Sequence, residues 1–139
     1  VGDIREVRPA VLTALISAGI IPVVAPLAIG RDGRSLNINA DTAAGEIAAA
    51  LKAEKLVLMT DTAGVCDRDG TLIQSLTTAQ IQRLRESEVI RGGMIPKVEC
   101  ATAALTGGVG KVHVIDGRVR HAVLLEIFTD RGVGTEILR

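Results

Sequence analysis

Residues 36–61, LNINADTAAGEIAAALKAEKLVLMTD, read as loop, helix and strand, and the rest of the chain can be placed around them. Ala43, Ala44, Ile47, Ala48 and Leu51 recur at the spacing of one helical face. Asn37, Asn39 and Asp41 arrive just before that face, so Asp41 is expected at or near a helix N-terminus, where an acid caps free N–H groups and suits the dipole. Leu56-Val57-Leu58-Met59 then forms a short apolar run of the kind buried on both faces of a parallel sheet. It ends in Thr60-Asp61-Thr62-Ala63-Gly64-Val65, polar residues and a glycine at the strand end where open α/β sheets bind ligands.

Upstream, Val11, Leu12, Leu15 and Ile16 share one helical face, and Gly19 stops the helix. Ile20 to Ala25 reads as a buried strand, with Pro22 pushing it towards a sheet edge. Asp32-Gly33 signals a hairpin between residues 27–29 and 35–38, and Asp69-Gly70 a second between 65–66 and 71–73. Downstream, Thr77-Thr78-Ala79-Gln80 fits a capping box opening a helix with Ile81 and Leu84 inward. Arg91-Gly92-Gly93 leads into a helix from Met94-Ile95-Pro96-Lys97 to Gly107-Gly108, proline suiting its first turn. A strand at Lys111–Ile115, a turn at Asp116-Gly117, a short helix from His121 to Phe128 and a last strand at 134–138 complete the pattern. Helices alternating with strands over short connections predict an α/β fold, a three-layer αβα sandwich with a mostly parallel central sheet.

Composition narrows the function. With 139 residues, 47% of them hydrophobic, the chain can bury a core of its own. Sixteen basic residues balance sixteen acidic ones, and Phe128 is the sole aromatic, which argues against nucleic acid as a partner: phosphate binding wants a basic surplus, and single strands want stacking platforms. Cys66 and Cys100, far apart and without a histidine pair nearby, support neither a disulfide framework nor a metal site, and fit reduced thiols in a cytoplasmic setting. No run approaches the roughly 20 apolar residues of a membrane span, and a soluble protein is expected. P-loop and Rossmann glycine patterns are both missing.

Three pieces look chemical. Asn37, Asn39 and Asp41 could orient a small polar substrate or a lysine, or simply form a turn and cap. Residues 60–65 could frame a ligand or be an ordinary strand-to-loop turn. Lys97 sits near a helix start, where a cation is electrostatically misplaced unless an anion such as phosphate joins it; otherwise it is a surface lysine.

Taken together, NINADTAAGEIAAAL, LVLMTDTAGV, GGMIPKV, VHVIDGR and HAVLLEIFTD-GVGT, with the early GDI and IPVV, resemble the amino acid kinase superfamily, and within it the N-acetylglutamate kinases. The resemblance implies transfer of the ATP γ-phosphate, with Mg2+ carried on the nucleotide, to the side-chain carboxylate of N-acetyl-L-glutamate in arginine biosynthesis. It implies Lys97 and Asp41 as catalytic residues, Lys97 stabilising the transferring phosphoryl group and Asp41 holding lysines in place. Asn37 and Asn39 would face the acylated amino acid. Thr60, Asp61, Gly64, Val65, Val89, Ile90, Arg91 and Gly93 would frame the nucleotide. Glu126, Gly132 and Gly134 resemble the arginine effector site of a subgroup that forms homo-oligomers and is bound by the signalling protein PII. A plastid would be the compartment in a plant. Members of the family begin with a lobe carrying phosphate-wrapping glycines and a further lysine, and this chain matches the portion after that lobe. Residues 1–29 would then be a remnant of the amino-acid-binding lobe and 30–139 the nucleotide-binding lobe, inactive alone. A nucleotide- or arginine-binding module without catalysis, and an N-acetyl-aminoadipate kinase, are the alternatives.

Overall fold

A computed structural model of the chain describes residues 4–129 and 132–139, which leaves Gly2 and Asp3 of the early motif and Asp130 of the tail motif outside the description. Helix α1 (Ala10–Ser17) is followed by a hairpin of β1 (Leu27–Ile29) and β2 (Ser35–Asn37), then α2 (Ala40–Ala50) and β3 (Lys55–Thr60). Next come β4 (Ser75–Thr77), α3 (Thr78–Glu86), α4 (Met94–Thr106), β5 (Lys111–Asp116), α5 (Ala122–Phe128) and β6 (Gly134–Leu138). The main sheet has the order β3-β5-β6-β4. Pairs β3/β5 and β4/β6 run parallel and β5/β6 antiparallel, so the sheet is mostly parallel as the alternation predicts.

Side-chain alternation along the strands assigns the layers. Leu56 and Leu58 of β3, Val112 and Val114 of β5 and Ile137 of β6 share a core with Val98, Ala101, Ala104 and Leu105 of α4, Ile81 of α3 and Ala48 of α2. The opposite face carries His113 and Ile115 and is covered by α5, whose Glu126 reaches the His113 ring. Three layers result.

Local rules explain most element ends. Thr77 and Gln80 form the complete capping box expected of α3. Gly19 takes φ +73°, the left-handed conformation that ends α1. Strand β4 was not apparent in the sequence: it is three residues long, and Leu76 alone is buried. Ile20–Ala25 is a correction, since no strand forms there. Ile21 and Val23 are 88% and 96% exposed. A strand needs a neighbour, and β3, at the end of the sheet, pairs only with β5 among the described strands. Helix α1 likewise buries none of its residues.

Candidate active site

The Lys97 ammonium stands 3.0 Å from each carboxylate oxygen of Asp41, joining the first turns of α4 and α2 across 56 residues of sequence. Both side chains are largely enclosed, at 16% and 22% exposure. This pairing revises two expectations. Asp41 is not the cap of α2: that place belongs to Asn39, whose side-chain oxygen accepts from the Thr42 N–H at 3.1 Å. Asp41, two residues on, keeps its favourable place near the positive end of the dipole while its carboxylate turns to the lysine. The misplaced charge of Lys97 is thus offset by Asp41 rather than requiring an anion. Nor is the start of α4 a cradle of free donors, because the Met94 and Ile95 N–H groups donate back to Arg91 and Gly92, and Pro96 has none.

Asn37 stands exposed at the end of β2, opposite Leu27, and Asn39 is exposed apart from its capping bond. Both lie within a few residues of Asp41 along the chain, on the segment that enters α2.

At the carboxyl end of β3, the Thr60 hydroxyl lies 3.4 Å from Asp61 Oδ1 and 3.5 Å from the Thr62 hydroxyl, a small polar cluster open to solvent. Gly64 follows with φ +145°, and a Cβ there would stand 2.7 Å from Thr135 Oγ1, so the chain passes too close to β6 for any side chain. Val65 is packed into the fold: its side chain is buried, its N–H donates to Thr135 Oγ1 at 2.9 Å, and its carbonyl accepts from the Ile73 N–H. Ile90 is buried in the core and Val89 half-buried, whereas Arg91 and Gly93 are exposed. Arg68, in the hairpin after Gly64, donates to the Ser87 carbonyl at 3.0 Å and ties that hairpin to the segment leading into residues 89–93.

The tail residues form a separate cluster. Glu126 is buried, with one oxygen on His113 Nδ1 and the other accepting from the Val133 N–H at 2.7 Å. Gly132, at φ +58°, leaves room for that carboxylate, since a Cβ would approach Glu126 Oε2 to 2.8 Å. Gly134 lies against the β5 backbone at Val114 and Ile115, where no Cβ fits. His113 and Thr135 escaped the sequence reading because a lone polar residue inside an apolar strand carries no spacing signal. At the end of β5 the Arg118 guanidinium, bound to both carboxylate oxygens of Asp116, holds that acid down to a pKa of about 2. Among the described residues no group of three or more His, Cys, Asp or Glu converges as a metal site, and no helix is long and apolar enough to cross a membrane.

Residues 1–116 match the amino acid kinase family. The chain is 57% identical to the acetylglutamate kinase of Geotalea uraniireducens over 138 residues, covering 99% of this chain and 47% of that protein. It spans about half the length of the curated relatives it matches. Among solved structures, the N-acetylglutamate synthase of Neisseria gonorrhoeae, complexed with coenzyme A and L-arginine, superposes with TM-score 0.90 at 34% identity, over 96% of this chain and 31% of that one. A carbamate kinase from Giardia lamblia shares the fold, with TM-score 0.66 at 18% identity over 93% of this chain and 43% of that one. Carrying the family's sequence over most of its length and its mostly parallel α/β sheet, the chain belongs to the amino acid kinase family.

Proposed function

We infer that the chain supplies the nucleotide-binding half of an enzyme that phosphorylates the side-chain carboxylate of N-acetyl-L-glutamate with ATP, a step of arginine biosynthesis. The observation that carries this reading is the bidentate Lys97–Asp41 pair at the meeting of two helix starts, in a chain 57% identical to an acetylglutamate kinase. A carboxylate acceptor is already a nucleophile near neutral pH, so the reaction needs charge stabilisation and alignment, not a general base. Lys97 serves that need, and Asp41 fixes where its ammonium points. Asn37 and Asn39 face the acylated amino acid. Thr60, Asp61 and Gly64, with Arg91 and Gly93, frame the nucleotide, Val65, Val89 and Ile90 shaping that frame from within the fold. Mg2+ arrives on the triphosphate as part of the substrate.

Residues 30–139 form the nucleotide lobe, and 1–29 belong to the amino-acid-binding side. Support comes from the apolar surface of residues 4–29, where Val11, Ile16, Ile21, Val23 and Ile29 are all exposed, a density that marks a contact surface. The remaining half of the relatives' length would cover it. The intact enzyme is a cytoplasmic homo-oligomer in this reading, and PII is a candidate partner.

A second reading, an arginine-binding module, draws support from the likeness to the synthase complexed with L-arginine. Glu126, Gly132 and Gly134 would be its effector residues. The test for both is the protein at its relatives' full length, supplied with ATP, Mg2+ and either N-acetylglutamate or N-acetyl-aminoadipate, with acyl phosphate trapped by hydroxylamine. Hydroxamate from acetylglutamate alone is expected. None from either acceptor, with arginine still bound in calorimetry, favours the module.

A further inference from the structure

Helices α2 and α4 meet along small residues, and at one point of that contact a missing side chain makes room for a sulfur. A Cβ on Gly45 would stand 2.7 Å from Cys100 Sγ, and one on Gly107 would stand 2.7 Å from Ala49 Cβ. The thiol is itself anchored, donating to the backbone carbonyl of Asp41 at 2.9 Å. Burial, and then the nearby Asp41 carboxylate, raise its pKa from 9.0 to about 11, so it is a protonated donor at neutral pH. Cys100 lies three residues after Lys97, on the same face of α4. Asp41 is therefore held twice from one helix, its carboxylate by Lys97 and its carbonyl by Cys100. Gly45, four residues after Asp41 and buried, gives the thiol its space.

We propose that Gly45 and Cys100 are positioning residues for the Lys97–Asp41 pair: the glycine opens a gap on α2, the thiol fills it from α4, and their fit sets the helix separation at which the ion pair closes. This rests on the proposed function only for the value of the ion pair to catalysis. The geometry itself can be tested without turnover.

The test is competitive acetylation of lysines in the 139-residue chain by acetic anhydride, read by peptide mass spectrometry as the ratio of Lys97 to exposed Lys52, with melting temperature measured in parallel. Alanine favours a helix over glycine, so Gly45→Ala harms only through the filled gap. It should raise the ratio roughly fivefold, as the ammonium leaves Asp41. In Gly45→Ala/Cys100→Ala the new methyl takes the space of the sulfur, and the ratio should return to within about twofold of the parent, the coupling a double-mutant cycle reads. A merely structural gap would lower the melting temperature and leave the ratio alone. An unchanged ratio in folded Gly45→Ala, or one still raised in the double variant, overturns the proposal. If Gly45→Ala does not fold, Cys100→Val crowds the same gap from α4: a raised ratio supports the fit, and a parental ratio overturns it.

Discussion

Lys97 and Asp41 share two contacts of 3.0 Å between the first turns of separate helices, so neither charge stands alone at a helix N-terminus. Helix dipoles favour the acid there and oppose the lysine, and pairing lets a cation persist where propensity alone would not place one. A position held against local preference is what a functional assignment for Lys97 predicts.

In the full-length protein, Lys97→Ala should lower kcat by several hundredfold, the ~3–4 kcal/mol typical of losing a donor aimed at transition-state charge. ATP affinity should change far less. Steady-state kinetics alongside calorimetric ATP titration separate the two, and a kcat within threefold of the parent removes Lys97 from the chemistry.

Asn39 and Asp41 differ in what their loss should cost the fold. Asn39→Ala removes the side chain that receives the Thr42 N–H and should cost about 1 kcal/mol of stability. Asp41→Asn leaves that cap untouched but deprives Lys97 of its counter-charge, so activity of the folded protein should fall steeply. Thermal melts and specific activity of both variants decide the matter. A large stability loss with full activity in Asp41→Asn would assign the acid a structural role only.

These two residues also mark how far the sequence could be read. Asn-Ala-Asp-Thr before an apolar helix announces a cap but not which residue provides it. Asn39 provides it because the chain turns helical at Ala40, which places Asp41 inside the first turn, where its carboxylate meets a lysine 56 residues later, and local pattern carries no such information. Strands β3 and β5 were legible because both are short apolar runs punctuated by glycines, of the kind a buried sheet takes: alternate residues Leu56 and Leu58 are buried in β3, and every residue from Val112 to Asp116 in β5. Ile20–Ala25 has the same composition, yet strand formation depends on a neighbour, and the described residues offer it none. His113 and Thr135 matter only through partners distant in sequence, which a linear reading does not see.

Thr135 bridges the chain on either side of the Asp67–Thr71 turn. Its hydroxyl donates to the Ile73 carbonyl at 2.7 Å and accepts from the Val65 N–H at 2.9 Å. Thr135→Val keeps the shape and strands the buried Val65 N–H, at about 1–3 kcal/mol, and deprives the part-buried Ile73 carbonyl of its donor. Urea unfolding should show a markedly lower midpoint with an unchanged slope. A midpoint shift below about 0.5 kcal/mol equivalent would mean that water replaces the hydroxyl.

Two groups give opposite pH signatures. The Asp116 pKa is lowered from 3.8 to about 2, first by the side-chain hydrogen bond from Arg118. Its contribution is therefore present above pH 4 and lost as pH falls through 2. The Cys100 pKa is raised from 9.0 to about 11, first by burial, so its contribution holds below pH 9 and is lost as pH rises through 11. Melting curves of Asp116→Asn and the parent should converge towards pH 2, and those of Cys100→Ala and the parent should draw together between pH 9 and 11. Cys100 should also react with a disulfide reagent far more slowly than the half-buried Cys66.

Thr60, Asp61 and Gly64 lie at the end of β3, and Arg68 ties the following hairpin to the segment before α4, so the groups assigned to the nucleotide belong to one folded unit. Weak ATP binding by residues 1–139 on their own should be detectable by calorimetry or NMR shifts. Phosphoryl transfer should not be, because one paired lysine supplies only part of the alignment and charge stabilisation that such a reaction demands. Hydroxamate should appear only when the other half of the relatives' length is added, on the same chain or as a separate fragment. That fragment should also quench binding of an apolar dye to the exposed surface at Ile21, Val23 and Ile29. Strong turnover by the 139 residues alone would place the catalytic groups elsewhere, in residues assigned here to structure.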